Sequence, residues 1–520
     1  MICGKEFIIM DQNYEHIPQE KFEFAQLDAH IHDTKFETKA HGYLADAFIR
    51  FKKNKSSVVA GIIIILLVIF AIFSPIISPY DIKQRDNIYT NLGPFVRSIA
   101  DAKVGNLFDG GVVYDSQNET QMLMFRGIAE ETGMDPVIRV LGEQQKETLK
   151  RGQTVMVTTY KVRVNKYYAV GVRYIVVSFE EFQRIQDFQN ETGIQVLYPY
   201  VESKDINGIT DNANIWYKVS DAKGTPALDK DGNFVPAYSK STSKAGAEYN
   251  SLRIEGDDGS YIYSYLKSGA VQCRVDYFNY YTYLNGHEPV FIFGTNGLGQ
   301  DLFGAIGIGA RFSLIFAILV SSINLTIGAI YGAVQGYYGG AVDMIMDRIA
   351  DILYEVPFMV VATLFQLHLA QKVGVVPSFL FAFVLTGWIG MAALTRKQFY
   401  RFKGQEYVLA AKTLGASDRR IMFKHIFPNA LGTIITSCVL VIPGVISSET
   451  TLTYLGIVNL SEFAGTSIGV LMSQGQAAMT TSPHAMFFPA LFVSLLLISF
   501  NLFGNGLRDA FNPSTRGVED

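Results

Sequence analysis

The stretch "EYVLAAKTLGASDRRIMFKHIFPNALG", residues 406–432, lies between two apolar runs that are long enough to cross a membrane. Its apolar and basic residues fall on opposite faces of a helix: Leu409, Ala410, Leu414, Ile421 and Phe427 against Lys412, Arg419, Arg420 and Lys424. Gly415 interrupts the helix, and Ala416 and Ser417 follow as a turn. The pattern predicts a helix, a turn and a second helix that lie along one surface of the membrane.

Two uses of this 406–432 segment remain open on the pattern alone. The small residues Ala410, Ala411 and Gly415 let the backbone of another protein come close, as a helix that enters a groove requires. An interfacial helix whose basic face is held by lipid headgroups explains the same residues equally well.

Six apolar runs predict six membrane-spanning helices. Residues 58–77, "VVAGIIIILLVIFAIFSPII", carry no charge over about 20 positions, which is the length needed to cross a hydrocarbon core of roughly 30 Å. This run is too long and too far from Met1 for a cleaved signal peptide. The other runs lie at about 312–334, 352–370, 376–394, 434–457 and 486–503.

Basic residues set the expected orientation of these helices, because Lys and Arg collect at cytoplasmic loops. The sequence "RFKKNK" at residues 50–55 places the N-terminus inside, and counting the crossings puts residues 396–424 inside as well. That segment contains eight Lys and Arg against Glu406 and Asp418, so the two tests agree. We therefore expect a cytoplasmic tail and amphipathic elbow over 1–57, a first span over 58–79, a five-helix core over 291–510 and a cytoplasmic tail over 511–520.

Residues 80–290 form a polar insert that the same count places outside, and the insert is long enough to bury a core of its own. "TVMVTTYKVRV", "YYAVGVRYIVVSF", "SYIYSYL" and "VQCRVDYFNYYTYL" read as strands, whereas "SDAKGTPALDKDGNFVP" reads as turns and loop. In "VSFEEFQRIQDFQNETG", Phe182, Ile185 and Phe188 recur at helical spacing and Gly193 ends the helix. The sequence predicts an α+β domain.

Two details of the insert allow a plain and a functional interpretation. "DKDGN" at 229–233 resembles the start of a calcium loop, but the bidentate Glu downstream is missing, which favours a turn. The tyrosines of "DYFNYYTYLNG" could form a contact face for a partner, and packing onto the domain's own core is the plainer interpretation.

Composition and motifs exclude several classes of function. The net charge of −4 gives no indication of nucleic-acid binding, and three cysteines far apart in sequence exclude a disulfide framework or a cysteine zinc site. The chain has no G-x-x-x-x-G-K-[ST] phosphate loop and no H-E-x-x-H zinc helix, and we expect no G-x-S-x-G nucleophile elbow. His30 and His32 are the tightest histidine pair, and solvation in a polar tail explains them better than metal binding. We expect no catalytic residue and no metal site.

The 406–432 segment resembles the cytoplasmic coupling motif of ABC-importer permeases, specifically of the dipeptide and oligopeptide group. Five further stretches are similar to motifs of that group in the same order: "ADAFIRFKKNKSSVVAGIIIILLV", "FGTNGLGQDLFGAIGIGARFSL", "GYYGGAVDMIMDRIADILYEVP", "SSETTLTYLGI" and "FNLFGNGLRDAFNP". The similarity runs from about Gly42 to Asn512 and omits the insert. The chain departs from the group's usual residues at Leu409, Phe427, Asn296 and Gln300, so a salt bridge from position 409 to an ATPase is excluded.

The resemblance implies a type I importer permease fold of six transmembrane helices in a bacterial plasma membrane, with both termini cytoplasmic. It also implies four kinds of partner: a second, homologous permease, two cytoplasmic ATPases that bind ATP and magnesium, an extracellular peptide-binding lipoprotein, and the peptide itself. A coupling helix over 404–428 would then enter an ATPase groove. The residues assigned to this contact are Glu406, Ala410, Ala411, Gly415, Ala416, Ser417 and Pro428.

Two features inside the membrane are further candidates. Gly328, Gly332 and Gly336 recur every four residues, a spacing that lets helices pack closely, although it also arises by chance in a glycine-rich span. Glu449 lies near the outer end of the fifth span, where it could meet the amino terminus of a peptide or simply cap neighbouring helices.

Three functions from different classes remain after these steps. The first is a permease that imports peptides and performs no chemistry itself, with nickel or another small solute as alternative cargo. The second is a surface receptor that acts through its external domain and uses the helices as an anchor. The third is a membrane enzyme, against which the lack of a convergent Ser/His/Asp or metal-ligand set argues.

Overall fold

The computed structural model describes residues 43–81, 83–101, 107–150, 153–201, 212–221, 223–236, 261–460 and 466–511. The chain divides into two units, Met1–Ile49 and Arg50–Asp520. Helix α1, Tyr43–Lys53, begins in the first unit and ends in the second. His30 and His32 lie outside the described residues.

Helix α2, Lys55–Ile77, is the first helix long and apolar enough to cross a membrane. Asn54 begins it, because its side-chain oxygen accepts a hydrogen bond from the Ser57 amide at 3.3 Å. Near the other end Pro75 has no N–H to donate to the Ala71 carbonyl. The guanidinium of Arg311, in the next long helix, donates to that carbonyl instead, at 2.6 Å.

An α+β domain follows α2. Its helices are α3 (Arg97–Asp101), α4 (Glu119–Thr132), α5 (Lys166–Ala169), α6 (Phe179–Thr192) and α7 (Tyr277–Asn285). Its strands are β1 (Gly111–Asn118), β2 (Val137–Lys150), β3 (Gln153–Asn165), β4 (Val172–Val177), β5 (Leu197–Tyr198), β6 (Ser264–Lys267) and β7 (Ala270–Asp276). They form two antiparallel sheets, one in the order β1-β3-β2 and one in the order β4-β7-β5 with β6 also paired to β7.

An aromatic cluster joins this domain to the segments that lead into the membrane helices. Tyr89, Phe95 and Phe291 come from those segments, and Tyr167 and Tyr281 come from the domain; all five are buried against one another. Because aromatic rings bury large apolar areas, such a cluster holds the domain firmly on its two connections.

The helices of the core follow the domain. Their bounds are α8 (Leu302–Tyr338), α9 (Gly340–Tyr354), α10 (Phe358–Val373), α11 (Val375–Lys403), α12 (Glu406–Thr413), α13 (Asp418–Tyr454), α14 (Ile468–Ala477) and α15 (His484–Phe511). Helix α8 packs on α2, α11 and α13, and α15 packs on α2, α13 and α14. Five of the described helices (α2, α8, α11, α13 and α15) are long and apolar enough to cross a membrane.

A sixth crossing depends on α9 and α10, which meet at a bend of 70° between Tyr354 and Phe358. Pro357 lies in that break, where its missing N–H and fixed φ interrupt a helix. Helix α9 is amphipathic: Ile345, Ile349 and Ile352 are exposed on its apolar side. The span predicted over residues 352–370 contains this bend.

Two other local predictions need correction. Residues 271–284 were expected as one strand, but β7 stops at Asp276, whose carboxylate accepts from the Asn279 amide at 3.1 Å and begins helix α7. The second helix of the 406–432 segment is not a separate interfacial helix, because α13 continues without a break from Asp418 to Tyr454. The helix over 179–192 is confirmed, with Gly193 in the left-handed conformation at its end.

Candidate functional site

Helix α12 and the turn after it, residues 406–417, project a partly apolar surface from the end of the bundle. Val408 is buried and anchors the helix, whereas Tyr407, Leu409 and Leu414 are exposed to 40%, 51% and 87%. Gly415 adopts φ of +79°, which L-amino acids with side chains rarely adopt and which turns the chain toward α13. A large apolar side chain such as Leu414, exposed at a loop tip, indicates a surface that another molecule covers.

The burial in this region differs from the predicted apolar face. Ile421 is buried as expected, but Leu409, Ala410 and Leu414 face outward. Val408 and Met422 take the inner positions instead. The five predicted residues do not form one continuous face, because the turn at Gly415 separates Leu409, Ala410 and Leu414 from Ile421 and Phe427.

A small core supports α12 from below. Val408, Ile421 and Ile426 pack with Ala333 of α8 and Phe399 of α11, and all five are buried. Two polar contacts add to this core: the Tyr337 hydroxyl donates to the Asp418 carboxylate at 2.6 Å, and the Asn429 amide donates to the Tyr407 hydroxyl at 3.2 Å. A displacement of α12 is therefore transmitted to α8, α11 and α13 together.

The predicted contact residues of the 406–432 segment fall into two groups. Those with exposed positions are Glu406, Ala410, Gly415, Ser417 and Pro428, and those with intermediate exposure are Ala411 and Ala416. The exposed group shares one projecting end of the bundle with the basic side chains of Lys412, Arg419, Arg420 and Lys424. This end offers an accessible surface of mixed apolar and positive character.

The glycines of α8 lie where α8 packs against α11. A Cβ atom added at Gly328 would lie 2.6 Å from the Met391 Cβ, and one added at Gly332 would lie 2.9 Å from the Arg396 amide nitrogen. At Gly336 the distance to the Phe399 Cβ would be 2.7 Å. Real Cβ atoms almost never come this close, so the two helices can pack at this distance only because these positions are glycine.

A charged network next to this interface connects three helices. Arg396 of α11 donates to Asp343 of α9 at 2.6 Å through one terminal nitrogen and to Asp347 of α9 at 2.8 Å through the other. The Tyr400 hydroxyl donates to Asp343 at 2.5 Å, and the Gln335 amide of α8 donates to Asp347 at 3.1 Å. Sequence analysis did not find this network, although the D-x-x-x-D and R-x-x-x-Y spacings place each pair on one helical face.

Glu449 is fully buried between α13 and α8. Its carboxylate accepts a hydrogen bond from the Ser313 hydroxyl at 2.8 Å, and the Thr450, Thr453 and Ser467 hydroxyls also contact it. Hydroxyl donors satisfy a buried carboxylate without a counter-ion. In this conformation the group ties two helices together and is closed to a peptide, so contact with a peptide amino terminus stays a prediction.

Ser467 also completes a G-x-S-x-G spacing at residues 465–469, so the expectation that the chain lacks this motif is wrong. In hydrolases this spacing exposes a nucleophilic serine on a sharp turn. Here Ser467 is fully buried and begins α14, where its oxygen accepts from the Val470 amide at 3.4 Å. Among the described residues no group of three or more His, Cys, Asp and Glu side chains could hold a metal ion.

At the opposite end of the bundle, hydrogen bonds tie the segments that carry the α+β domain to the α14 region. The Ser482 hydroxyl donates to the Asn91 carbonyl at 2.9 Å. The Asn296 amide donates to Gln474 of α14 at 3.2 Å and to Gln300 at 2.9 Å. Asn296 and Gln300 are two of the departures noted in the sequence, and they bond to each other as a neutral pair.

Two segments of the chain match known protein families. Residues 324–517 match the family model of the binding-protein-dependent transport system inner membrane component, and residues 42–94 match that of the N-terminal TM domain of oligopeptide transport permease C. Most of the α+β domain falls between the two matches.

Three curated relatives illustrate the similarity. The oligopeptide transport system permease protein OppC of Bacillus subtilis (strain 168) is 42% identical over 43% of this chain and 72% of its own length. The dipeptide transport system permease protein DppC of the same organism is 40% identical over 43% of this chain and 69% of its own length. The OppC protein of Escherichia coli (strain K12) is 35% identical over 44% of this chain and 74% of its own length.

Proposed function

This chain belongs to the inner membrane components of binding-protein-dependent transport systems, and we propose that it is one of the two permease subunits of an ATP-driven peptide importer. The observation that carries the proposal is the match of both its N-terminal helix and its core to oligopeptide and dipeptide permeases. The permease moves cargo and leaves ATP hydrolysis to partner subunits, since its sequence has no phosphate-binding loop.

One of the two partner ATPases docks on the exposed surface of α12 and its turn. Leu414 and Leu409 supply the apolar part of this contact, and Ala410 with Gly415 allows a close approach of backbones. Because Val408 is buried in the core below, closure of the ATPases displaces α8, α11 and α13 as well. ATP binding and hydrolysis thereby switch the permease between outward-facing and inward-facing states.

Six crossings, with both termini in the cytoplasm, fit the fold when α9 and α10 together provide the third. The basic clusters at 50–55 and 396–424 then lie on the same, inner side of a bacterial plasma membrane. The α+β domain lies outside under this arrangement, because it follows the first crossing.

The external domain guides or docks the peptide-binding lipoprotein and does not bind peptide tightly. The attachment of the domain to the membrane helices supports this role. The aromatic cluster and the Asn91–Ser482 hydrogen bond hold the domain beside α14 and the start of α15, at the outer mouth of the bundle. The tyrosines of α7 pack mainly onto the domain's own core: Tyr277 and Tyr281 are buried, and Tyr280 and Tyr283 are half-buried against it. Most of the docking face therefore lies elsewhere on the domain.

Uptake by the reconstituted complex tests the proposal. The chain is purified with its partner permease, ATPases and binding protein, placed in proteoliposomes, and given ATP with labelled dipeptides, longer peptides or nickel. We expect ATP-dependent uptake of a peptide, and mass spectrometry of the purified complex should find peptides as bound cargo. Nickel uptake without peptide uptake would overturn the choice of cargo, and a complex that assembles without ATPases would overturn the importer role.

A further inference from the structure

Helix α9 is attached to the bundle by ion pairs and by a small apolar contact. Its buried residues are Asp343 and Ala350, while Ile345, Ile349 and Ile352 are exposed. Ala350 packs against Trp388 and Ala392 of α11, and the ion pairs of Asp343 and Asp347 with Arg396 of α11 supply the polar part of the attachment.

Arg396 is suited to this attachment because its guanidinium is a planar fork. One terminal nitrogen reaches Asp343 and the other reaches Asp347, one helical turn further along α9. A lysine has a single point of charge and cannot hold both carboxylates with the same geometry. The two contacts fix the rotation of α9 as well as its distance from α11.

The network has spare bonding capacity. Within the described part of the chain, Oδ1 of Asp343 and Nε of Arg396 are buried and lack a hydrogen-bond partner. In this conformation these two atoms have therefore lost their hydrogen bonds to water without gaining a protein partner.

Arg396 also lies between the residues that pack under α12 and helix α9, which leads into α10. Phe399, three residues further along α11, packs against Val408 beneath α12. Lys403, one helical turn beyond Phe399, donates to the Gly336 carbonyl of α8 at 3.0 Å. On the other side, α9 leads through the 70° bend at Pro357 into α10.

We propose that Arg396 is a positioning residue for transport, which clamps α9 to α11 so that movement of α12 reaches α10 through the bend at Pro357. This role rests on the proposed function as an importer permease. Loss of the clamp leaves α9 free to stay behind when α11 moves. ATP hydrolysis then continues, but fewer peptides cross for each ATP consumed.

The ratio of peptide transported to ATP hydrolysed is the decisive measurement, because a purely structural role would lower both rates together. Arg396→Gln and Asp347→Asn are compared with the wild type in the full reconstituted complex with its binding protein. Lys397→Gln is the matched control, since it removes the same charge from the neighbouring exposed position of α11. We expect the ratio to fall about fivefold or more in both network variants, the lower end of the range for coupling between distant sites. The control should keep the wild-type ratio.

Two further variants separate the clamp from simple stability. Arg396→Lys keeps the charge but not the fork, and we expect a ratio between those of Arg396→Gln and the wild type. The double variant Arg396→Gln with Asp347→Asn should be no worse than Arg396→Gln alone, because both remove one interaction.

The outcomes that contradict the clamp are distinct from failure of the proposed function. An unchanged ratio in Arg396→Gln, or loss of assembly together with equal loss of both rates, would overturn it. A wild-type complex that hydrolyses ATP and moves no peptide would instead overturn the proposed function.

Discussion

Replacing Leu414 by alanine tests whether α12 is the docking surface for an ATPase. The side chain is 87% exposed in the isolated chain, so its apolar surface is available to a partner. Leu→Ala removes three carbons at about 0.8 kcal/mol each, and scaling by the exposed fraction gives a loss of about 2 kcal/mol of docking free energy. That loss corresponds to a roughly 30-fold weaker affinity.

The assay is a titration of the purified ATPases against the permease pair in lipid nanodiscs. Because Leu414 contributes no packing within its own chain, folding should change by less than about 0.5 kcal/mol, and thermal unfolding of the variant checks this. Leu107→Ala is the matched control, since Leu107 is 67% exposed and belongs to the α+β domain rather than to the 406–432 segment. Its affinity for the ATPases should equal that of the wild type.

An unchanged affinity in Leu414→Ala would refute the reasoning. If the variant also binds anionic lipid vesicles less well, then α12 is an interfacial helix held by lipid, which is the alternative that the sequence left open. If neither property changes, the exposed leucine has no role in either contact.

Three further outcomes are expected. Gly332→Val should destabilise the chain by about 1–3 kcal/mol, because the new side chain meets α11. Gly390→Val has open space at its Cβ and should not destabilise the chain, and thermal unfolding of the two variants compares them. In a chain with Cys3 and Cys438 replaced, an impermeant maleimide on intact cells should label Ser220→Cys and not Ser417→Cys, and the opposite labelling would reverse the topology. Cys273 can stay in this chain, because burial raises the pKa of its thiol to about 12 and keeps it unreactive. Burial also raises the pKa of Asp276 to about 7 from 3.8, so this group stabilises the domain fully below pH 3.8 and loses that stabilisation as the pH rises through 7. Urea unfolding followed by labelling of Cys273 should show about 1.4 kcal/mol more stability at pH 6 than at pH 8, and Asp276→Asn should remove that difference.

Sequence patterns predicted correctly the elements whose residues show both a regular apolar spacing and residues that start and stop the element. Helix α6 has apolar residues at helical spacing, Ser178 at its start and Gly193 at its end, and it forms as expected. Helix α7 was missed because its tyrosines and phenylalanine favour strands locally. Its formation depends on the buried Asp276 as N-terminal cap and on aromatic contacts with residues about 190 positions earlier, such as the pairing of Tyr89 with Tyr277.

The candidate site was predictable only in part, for two physical reasons. The burial of apolar residues in the 406–432 segment could not be assigned, because a surface kept for a partner uses the same residue types as a core. The Arg396 network depends on the register between α9 and α11, which no single helix encodes. Its signal is visible in hindsight as two acidic residues four apart in one helix and Arg396 with Tyr400 four apart in another.

The continuity of α13 provides a route by which a movement of α12 can be passed along the bundle. The helix starts beside the docking turn at Asp418 and ends at Tyr454, so its 37 residues extend for about 55 Å as one element. Two places let it bend: the π-helical turn Ile421–Ile426 just above α12, and Pro443 inside the helix. Beyond Pro443, Glu449 fastens the far end to Ser313 of α8. A tilt imposed at Asp418 can therefore reach the half of the bundle that contacts the α+β domain through α13 itself, and Pro443 is a position at which the helix can bend on the way.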